Sequence, residues 1–577
     1  MRFFLLLILF FASLAADVPY QVHFVGNGSK KIEEMLDSVS QLKLLQDHPP
    51  ATVNALKRRA EADIPNLKMA LQMEAYYRPE ITIEIDSDAA PAIVYVRIET
   101  GRKYRLGSYT VTPDCGVPFE ELGLEIGRSA YPGKILDAEW YLLQSLAFKG
   151  YPLARVVERE VIADVEQEVV NVTITVDEGP QVFFGPTSVS GLCGVYESVI
   201  ANKIAWNEGC LYSPRLVSCT QSALEDTGLF AAVTITSDDV VDEEGRLTMH
   251  IEVTEAKHRT IGLGASYTTQ LGPGVFAEWE TRNLTGRGEK LSLRSEIWGL
   301  KQRGAVLFKQ PDFYVRCQDL LWIAEIEHEK TDAFTEFFFS LSALLERQVH
   351  DWLRISYGGQ FKELDSTRSN NNGTFTLLKA PVAFRFNNAN NLLDPTWGGS
   401  LYVKLTPTLS VKGEPSFIYY IQQAIGTYYQ TLTRDERWIL ALKVNLGSIF
   451  GAEDRTIPPP ERFYAGNENT LRGYHYLTVS PLDAENKPIG GRSLMVYSAE
   501  LRSRIGECLG WAVFYEVGNV YSTVLPQFDY KQLNSIGFGL RYHTAVGPLR
   551  ADIGVPLNRR PGIDKQFELY FSIGQAF

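Results

Sequence analysis

Three charged side chains near the end of the sequence have types and spacing that predict an ion pair. Arg472 lies in a segment rich in glycine and aromatic residues, Arg462-Phe-Tyr-Ala-Gly-Asn-Glu-Asn-Thr-Leu-Arg-Gly-Tyr474. Glu500 and Glu516 follow on two segments in which apolar and polar residues alternate. A guanidinium can bind one carboxylate through two parallel hydrogen bonds. We therefore expect Arg472 to fasten its segment to Glu516, with Glu500 nearby.

The sequence lacks the short motifs that carry common enzymatic chemistry. It has no H-E-x-x-H, no G-x-S-x-G and no phosphate-binding P-loop. Gly262-Leu-Gly264 and Gly537-Phe-Gly539 do not continue to G-x-G-x-x-G, so glycine facing inward from a strand is the better interpretation. The histidines are scattered, and no two of the six cysteines form C-x-x-C. We expect a protein that is not an enzyme and that uses no metal and no cofactor.

The segments around these charges belong to a region with a two-residue period. From residue 258 to residue 577, apolar and polar side chains alternate over long stretches, clearest at 261–268, 291–297, 536–542 and 567–577. Such alternation, without an apolar run long enough for a spanning helix, is typical of a transmembrane β-barrel. At roughly 20 residues per strand and turn, the region holds about 16 strands. A soluble β-sandwich would also alternate, but over shorter strands.

The same alternation assigns sides to the charged residues. Trp511, Val513 and Tyr515 fit the lipid-facing side of their strand, so Glu516 points into the lumen, and Glu500 faces inward on the preceding strand. A connection of about forty residues, 449–490, precedes them, and loops of that length are usually functional or disordered. We expect this loop to fold back into the lumen as a lid that carries Arg472 to both glutamates.

The N-terminal half of the sequence repeats itself. Glycines in similar surroundings recur at Gly107, Gly185 and Gly262, a step of about 78 residues. Lys149-Gly-Tyr-Pro and Thr227-Gly-Leu-Phe keep the same step, and two landmarks with one period indicate a true repeat. We predict three repeat domains, at 17–101, 102–179 and 180–257.

Each repeat combines strand and helix periods. A short strand such as 20–25 opens the unit, helical spacing follows, and two alternating strands close it. Leu136, Trp140, Leu143 and Ala147 fall on one face of a helix, which we expect to cover the sheet. The units are therefore predicted as two-layer β-α-α-β-β domains of the α+β class. One sheet edge stays open and could add a strand from another chain, although many open edges are only structural.

The first sixteen residues predict export. Met1-Arg2 is followed by the apolar run Phe3 to Phe11 and by small residues ending at Ala16, the pattern of a secretory signal peptide. Export makes a disulfide possible among the cysteines, while the alternative is that they are small buried apolar residues. The net charge of −13, without a basic tract, makes nucleic acid a poor partner.

Several motifs, taken in the order in which they occur along the chain, resemble those of the BamA/TpsB superfamily of outer-membrane assembly and secretion barrels. The lid motif V-R-G-F/Y of that superfamily resembles Leu471-Arg472-Gly473-Tyr474, with Leu471 in place of valine. Its F-x-A-G, D-N-P-L-x-P-T-x-G and G-P-x-R-x-D elements resemble the segments Phe463–Gly466, Arg385–Gly398 and Gly547–Pro556. Its strand motif F-x-D-x-G is changed to Phe514-Tyr-Glu516-Val-Gly518, which leaves the distance from Glu516 to Arg472 open.

The resemblance implies a location, partners and a family branch. The three repeats would be POTRA domains, and three is the number found in the TamA family, the outer-membrane subunits of translocation and assembly modules. The barrel would lie among outer-membrane lipids of a bacterial cell with the repeats in the periplasm. Unfolded outer-membrane proteins such as autotransporters would be its clients, and a TamB-type inner-membrane protein would contact its first repeat. Phe577 would act as the C-terminal signal for the assembly of the barrel itself.

The resemblance also suggests where the barrel opens. We expect the first strand, near 258–269, to pair weakly with the last, near 567–577. Gly262 and Gly264 leave the lumen face of the first strand almost bare, and Gly574 and Ala576 are small residues on the last. Opening this lateral seam would expose strand edges to a client. The alternative is a two-partner secretion transporter, which passes a dedicated client through the lumen but typically has two repeats.

Overall fold

The computed structural model describes most of the chain. It covers residues 17–577 except 27–28, 269–270, 368–372, 413–415, 454–455, 507, 529–530, 545–546 and 574. The predicted signal peptide at 1–16 and Gly574 of the predicted seam therefore lie outside the described residues. All six cysteines are described, and each is a free thiol.

The N-terminal part contains three small sheets, each with its helices, as the repeat predicts. The first unit consists of β1 (Tyr20–Val25), α1 (Lys30–Val39), α2 (Gln41–Leu44), α3 (Val53–Met73), β2 (Glu80–Asp86) and β3 (Ala92–Glu99). The second consists of β4 (Arg105–Thr112), a 3-10 turn (Phe119–Leu122), α4 (Pro132–Phe148), β5 (Arg155–Asp164) and β6 (Val169–Asp177). The third consists of β7 (Phe183–Ser190), α5 (Glu197–Lys203), α6 (Pro214–Glu225), β8 (Phe230–Ser237) and β9 (Arg246–Glu255).

The closing strand of each unit is the centre of its sheet. The strand orders are β1-β3-β2, β4-β6-β5 and β7-β9-β8. In the first two units the opening strand runs parallel to the central strand, and the middle strand runs antiparallel to it. Alternate residues of β3 such as Val94 and Val96 are buried against Leu56 and Leu67 of α3. One face of the sheet is therefore covered, while β2 and β5 are edge strands.

The predicted buried face of α4 is wrong by one residue. The helix buries Ile135, Ala138, Leu142 and Leu146, which pack on β6. Leu136 and Trp140 of the predicted face are exposed, Trp140 to 64%. The helix is apolar on two adjacent sides, so its 3.6-residue period permits either side to be buried and the fit to the sheet decides between them. The second repeat consequently carries an apolar strip on its surface.

A large antiparallel sheet follows the repeats, with its strands in sequence order. Its strands are β10 (Arg259–Thr268), β11 (Gly272–Arg282), β12 (Lys290–Trp298), β13 (Lys301–Gln310), β14 (Gln318–Lys330), β15 (Thr335–His350), β16 (Leu353–Thr367), β17 (Gly373–Lys379), β18 (Val382–Asn387), β19 (Gly398–Lys412), β20 (Phe417–Thr431), β21 (Trp438–Phe450), β22 (Ser493–Ile505), β23 (Leu509–Tyr521), β24 (Leu533–Thr544), β25 (Gly547–Pro556) and β26 (Glu568–Ile573). Among the described residues, no helix has both the length and the apolar composition needed to cross a bilayer.

Among the described residues, the sheet has one strand more than the sixteen predicted, because one position around it is shared by two short strands. Both β17 and β18 pair with β16 on one side and with β19 on the other. Pro381 lies between them. Proline has no N–H to donate to a β-ladder, so the strand is interrupted there. Counted as positions around the sheet, β17 and β18 form one, and the prediction of sixteen agrees with this count.

Side chains alternate across the sheet as the sequence predicts. On β23, Val513 and Tyr515 are exposed on the outer face, whereas Phe514 and Glu516 are buried on the inner face. On β22, Tyr497 is exposed, and Glu500 and Arg502 are buried. The alternation thus turns a set of charged side chains inward from neighbouring strands.

Candidate functional site: the lid loop and the seam

The loop between β21 and β22 is packed against the inner face of the sheet. Isolated bridges join Phe463 to Gly491 and Ala465 to Val479, so the loop has its own backbone framework. Leu471, Tyr474 and Val479 are fully buried against apolar side chains of β22, β23 and β24. This is the predicted lid, and apolar contacts hold its motif on the barrel wall.

Arg472 contacts the carboxylates of three different strands. Its Nη2 lies 2.8 Å from Oε1 of Glu516, its Nε donates to the same oxygen at 2.9 Å, and its backbone N–H donates to Oε2 at 2.6 Å. Its Nη1 lies 2.9 Å from Oε2 of Glu500 and donates to Oδ2 of Asp552 at 2.8 Å. The ring centroid of Phe514 is 3.4 Å from the guanidinium carbon. Burial alone would lower the pKa of Arg472, but the three carboxylates raise it, so the side chain stays charged.

Further arginines balance the charge of this cluster. Nε of Arg502 donates to Oε1 of Glu500 at 2.8 Å, and Nη1 of Arg541 donates to Oδ1 of Asp552 at 2.5 Å. All of these side chains are nearly or fully buried. Because each charge is compensated locally, removal of one member would leave another uncompensated inside the protein.

Gly473 and Tyr474, the next two residues of the lid motif, add further contacts between the lid and the barrel wall. Gly473 has φ +90°, and a Cβ there would lie 3.1 Å from the backbone of Gly554 on β25, so both the conformation and the space favour glycine. The N–H of Gly473 donates to the hydroxyl of Tyr570 on β26 at 2.8 Å. The hydroxyl of Tyr474 donates to the backbone oxygen of Asn534 at 2.8 Å. Of the predicted partners, Glu516 and Glu500 are both within contact of Arg472, whereas Asp552, Phe514 and Tyr570 were not predicted.

A signal for Asp552 was present in the sequence. Arg550, Asp552 and Gly554 alternate with apolar residues in the segment Gly547–Pro556, and this alternation turns Asp552 inward. The sequence did not reveal that Asp552 lies beside Arg472, because 80 residues separate the two along the chain.

A second ion cluster fastens the other end of the lid. Nζ of Lys379 on β17 donates to Oε2 of Glu461 at 2.5 Å, and Nζ of Lys362 on β16 donates to Oε1 at 3.1 Å. Burial would raise the pKa of the Glu461 carboxyl, but the two lysines lower it to about 2. This anchor was not predicted, since nothing in the local sequence pattern pairs Glu461 with lysines that lie 82 and 99 residues earlier. The lid is thus tied by ions to two separate groups of strands.

The predicted seam lies between the two ends of the sheet order. Parts of β10 and β26 come within 8 Å of each other between Cα atoms, yet no hydrogen-bonded pairing joins them among the described residues. Gly262 and Gly264 are on the inner face of β10, opposite the exposed Leu263. The prediction of a bare inner face is wrong for Gly264, because a Cβ there would lie 2.3 Å from the ring of Phe276 on β11.

Residues 575–577 depart from the predicted strand. Ala576 is buried beyond the end of β26 and does not extend its ladder. Gln575 donates from its backbone N–H to Leu393 at 3.1 Å and accepts from Nε of Arg541 at 2.9 Å. The backbone oxygen of Phe577 accepts from Nη2 of Arg502 at 2.8 Å. The sequence alternation extended the last strand to residue 577, and this is corrected: β26 ends at Ile573, and polar partners on the inner wall draw residues 575–577 inward.

Known proteins with a similar sequence or structure fit this architecture. A model of the Omp85 superfamily domain matches residues 283–577. The outer membrane protein assembly factor BamA of Nitratidesulfovibrio vulgaris (strain Hildenborough) is 22% identical over 523 residues, which are 86% of this chain and 65% of that protein. The chain therefore spans slightly less than two thirds of the length of that relative.

Two solved structures are similar to this chain to different degrees. BamA from Haemophilus ducreyi lacking POTRA domains 1–3 covers 81% of this chain and 99% of its own, with a TM-score of 0.66 and 19% identity, which shows a common fold. CdiB from Acinetobacter baumannii covers 82% of this chain and 89% of its own, with a TM-score of 0.47 and 13% identity.

Substitution of Arg472 tests the first anchor. We expect Arg472→Ala to leave a folded barrel whose lid is released, because three carboxylates lose their shared cation, a change that costs about 3–5 kcal/mol for a buried pair. Arg472→Lys keeps the charge but loses the planar guanidinium, so the protease resistance of its loop should lie between that of the wild type and that of Arg472→Ala. Limited proteolysis of the loop in detergent measures the release. The control Arg437→Ala removes an exposed arginine from the turn before β21 and should resemble the wild type. Wild-type protease resistance in Arg472→Ala would contradict this account.

Substitution of Glu461 tests the second anchor separately. We expect Glu461→Gln to loosen the lid near residues 457–463, because Lys379 and Lys362 lose their counter-ion, while the Arg472 cluster stays intact. Amide hydrogen exchange of the loop measures the local opening at the Glu461 end and at the Arg472 end in one experiment. Because the pKa of Glu461 lies below its ordinary value of 4.5, this anchor is complete above that pH and weakens as the pH falls towards about 2. Glu453→Gln, at an exposed position of the same loop, is the control, and equal exchange in both variants would refute the anchor.

Proposed function

Because this chain belongs to the Omp85 superfamily, we propose that it inserts or translocates client proteins at the outer membrane by opening the seam between β10 and β26. Its barrel lies in the outer membrane, and its repeats lie in the periplasm. The observation that carries the proposal is that, in the described part of the chain, the hydrogen-bonded sheet ends at these two strands. Edge strands present unpaired N–H and C=O groups, which can template the strand of another chain.

The position of the lid favours a lateral route, in which the client passes through the seam, over a route through the lumen. A client that passed through the lumen would have to displace a loop tied by two buried ion clusters, at Arg472 and at Glu461. Separating buried charges costs several kcal/mol for each pair. Opening at the seam breaks no hydrogen bond of the sheet between described residues, because β10 and β26 are its two ends there. The alternative, a two-partner secretion transporter, needs the lid to leave the lumen.

We propose more narrowly that the chain acts as a member of the TamA family, without catalysis. The three repeats support this assignment, since they match the number expected for that family. Autotransporters would then be among its clients, and a TamB-type inner-membrane protein its partner at the first repeat. Exposed apolar side chains on that repeat, at Leu44, Met69 and Met73, suit a protein contact.

Crosslinking tests the partner. A photo-crosslinking residue at Met69 should capture a TamB-type protein in whole cells, because this side chain is 64% exposed beside Met73 on the same helix face. The same residue at Arg97, on the open face of the sheet, is the control and should capture much less. Mass spectrometry identifies the adduct. Equal capture at both positions, or an adduct of another class at Met69 alone, would remove the TamB-type partner from the proposal.

A disulfide across the seam tests the route. In a variant with the native cysteines replaced by serine, Leu263→Cys on β10 is combined in turn with Leu569→Cys and Phe571→Cys on β26. Client assembly should stop when the disulfide forms and return on reduction, because the strands can no longer separate. Radiolabelled client appearing in folded form measures the assembly.

The control disulfide joins two interior strands. Val275→Cys on β11 and Ile297→Cys on β12 face each other directly in the sheet. This pair should leave client assembly at the wild-type rate. If the seam-locked barrel also assembled clients at that rate, the lateral route would be refuted, and transport through the lumen would take its place.

A further inference from the structure

Two consecutive lid residues contact strands on opposite sides of the seam. Nδ1 of His475 lies 3.0 Å from Oε1 of Glu568 on β26. The hydroxyl of Tyr476 donates to Oε1 of Glu329 on β14 at 3.0 Å. In the strand order, β26 is the last strand, and β14 is the fifth from the first. Across the seam, β10 to β13 separate them, so residues 475–476 span the seam on its inner side.

The lid contacts the last strand twice, through a buried hydrogen bond of Gly473 and a partly buried contact of His475. Glu568 and Tyr570 are both almost fully buried on β26. The bond from Gly473 to the hydroxyl of Tyr570 lies next to the one from His475 to Glu568. Hydrogen bonds to a carboxylate are stronger than those between neutral groups, and the burial of Glu568 limits the replacement of His475 by water. The last strand is therefore held by the lid as well as by β25.

The contact with β14 has a specific electrostatic reason. Glu329 lies directly opposite Glu336 on β15, and the carboxylate oxygens of Glu327, Glu329 and Glu336 come within 4.8 Å of one another. Like charges placed directly across a sheet repel each other. A hydroxyl donor at Glu329 relieves part of that repulsion. Burial, together with Glu329, raises the pKa of Tyr476, so the phenol remains a donor at neutral pH.

We propose that His475 and Tyr476 form a clasp that holds the seam closed from the lumen side. The proposal rests on the proposed function, since it describes how the same seam is regulated. If β26 moves away from β10, either His475 leaves Glu568 or Tyr476 leaves Glu329. Opening of the seam then requires the release of residues 475–476 from one strand, while the ion pairs of Arg472 and Glu461 stay intact. A ligand or client that withdraws residues 475–476 from either strand would open the seam.

Distances across the seam test the clasp directly. Spin labels at Leu263→Cys and Phe571→Cys, in full-length protein with the native cysteines replaced, report the separation of β10 and β26 by double electron–electron resonance. Tyr476→Phe removes only the hydroxyl and should raise the fraction of separated strands by about tenfold, the effect of one hydrogen bond to a charged group. Heat-modifiable gel mobility checks that the barrel is folded.

The matched control is a second tyrosine of the same loop. Tyr464→Phe loses a hydroxyl that donates to the backbone oxygen of Pro459 within the loop itself, and the label distances should stay as in the wild type. His475→Leu tests the other arm independently, so a folding failure in one variant leaves the other decisive. Unchanged distances in the folded variants would overturn the clasp.

The outcomes separate this inference from the proposed function. If Tyr476→Phe leaves the seam closed while the seam disulfide stops client assembly, the clasp is wrong and the lateral route stands. If Tyr476→Phe opens the seam while the disulfide does not affect assembly, the clasp is right and the lateral route fails.

Discussion

A guanidinium that is removed from water must find its counter-charges inside the protein, and this requirement organises the barrel lumen. Arg472 is fully buried and contacts carboxylates from β22, β23 and β25. Three carboxylates around one arginine would leave an excess of negative charge, so Arg502 and Arg541 complete the set. Because every member depends on the others, the loop that carries Arg472 can occupy the lumen only when four strands present their charges in register.

The same dependence connects the lid with the ends of the sheet. Arg502 contacts Glu500 and also the backbone of Phe577, while Arg541 contacts both Asp552 and Gln575. The residues after β26 are therefore bound by the side chains that balance the lid arginine. Among the described residues no strand pairing joins β26 to β10, so these side-chain contacts supplement the pairing of β26 with β25. The lid and the seam are for this reason coupled parts of one structure rather than independent features.

The sequence by itself determined the features that depend on local periodicity. Alternation over two residues predicted the barrel, and it turned Glu500 and Glu516 inward, because successive side chains of a strand point to opposite faces whatever the strand pairs with. The repeated glycines predicted three similar domains, since a repeat is visible without any knowledge of contacts. A single arginine in a long loop, with two inward carboxylates, was enough to predict the pairing of Arg472 with Glu516.

Only the tertiary structure decided what depends on neighbours in space. Asp552, Lys362 and Lys379 lie far in sequence from their lid partners, and their distances follow from strand register and barrel curvature. The buried side of α4 depends on the fit to β6, because both of its apolar sides satisfy the helical period. The alternation continued to Phe577, but Arg502 and Arg541 supply polar partners that draw the last residues inward. A local sequence pattern predicts the direction in which a side chain points, whereas the pairing of strands that are distant in sequence determines which residues it contacts.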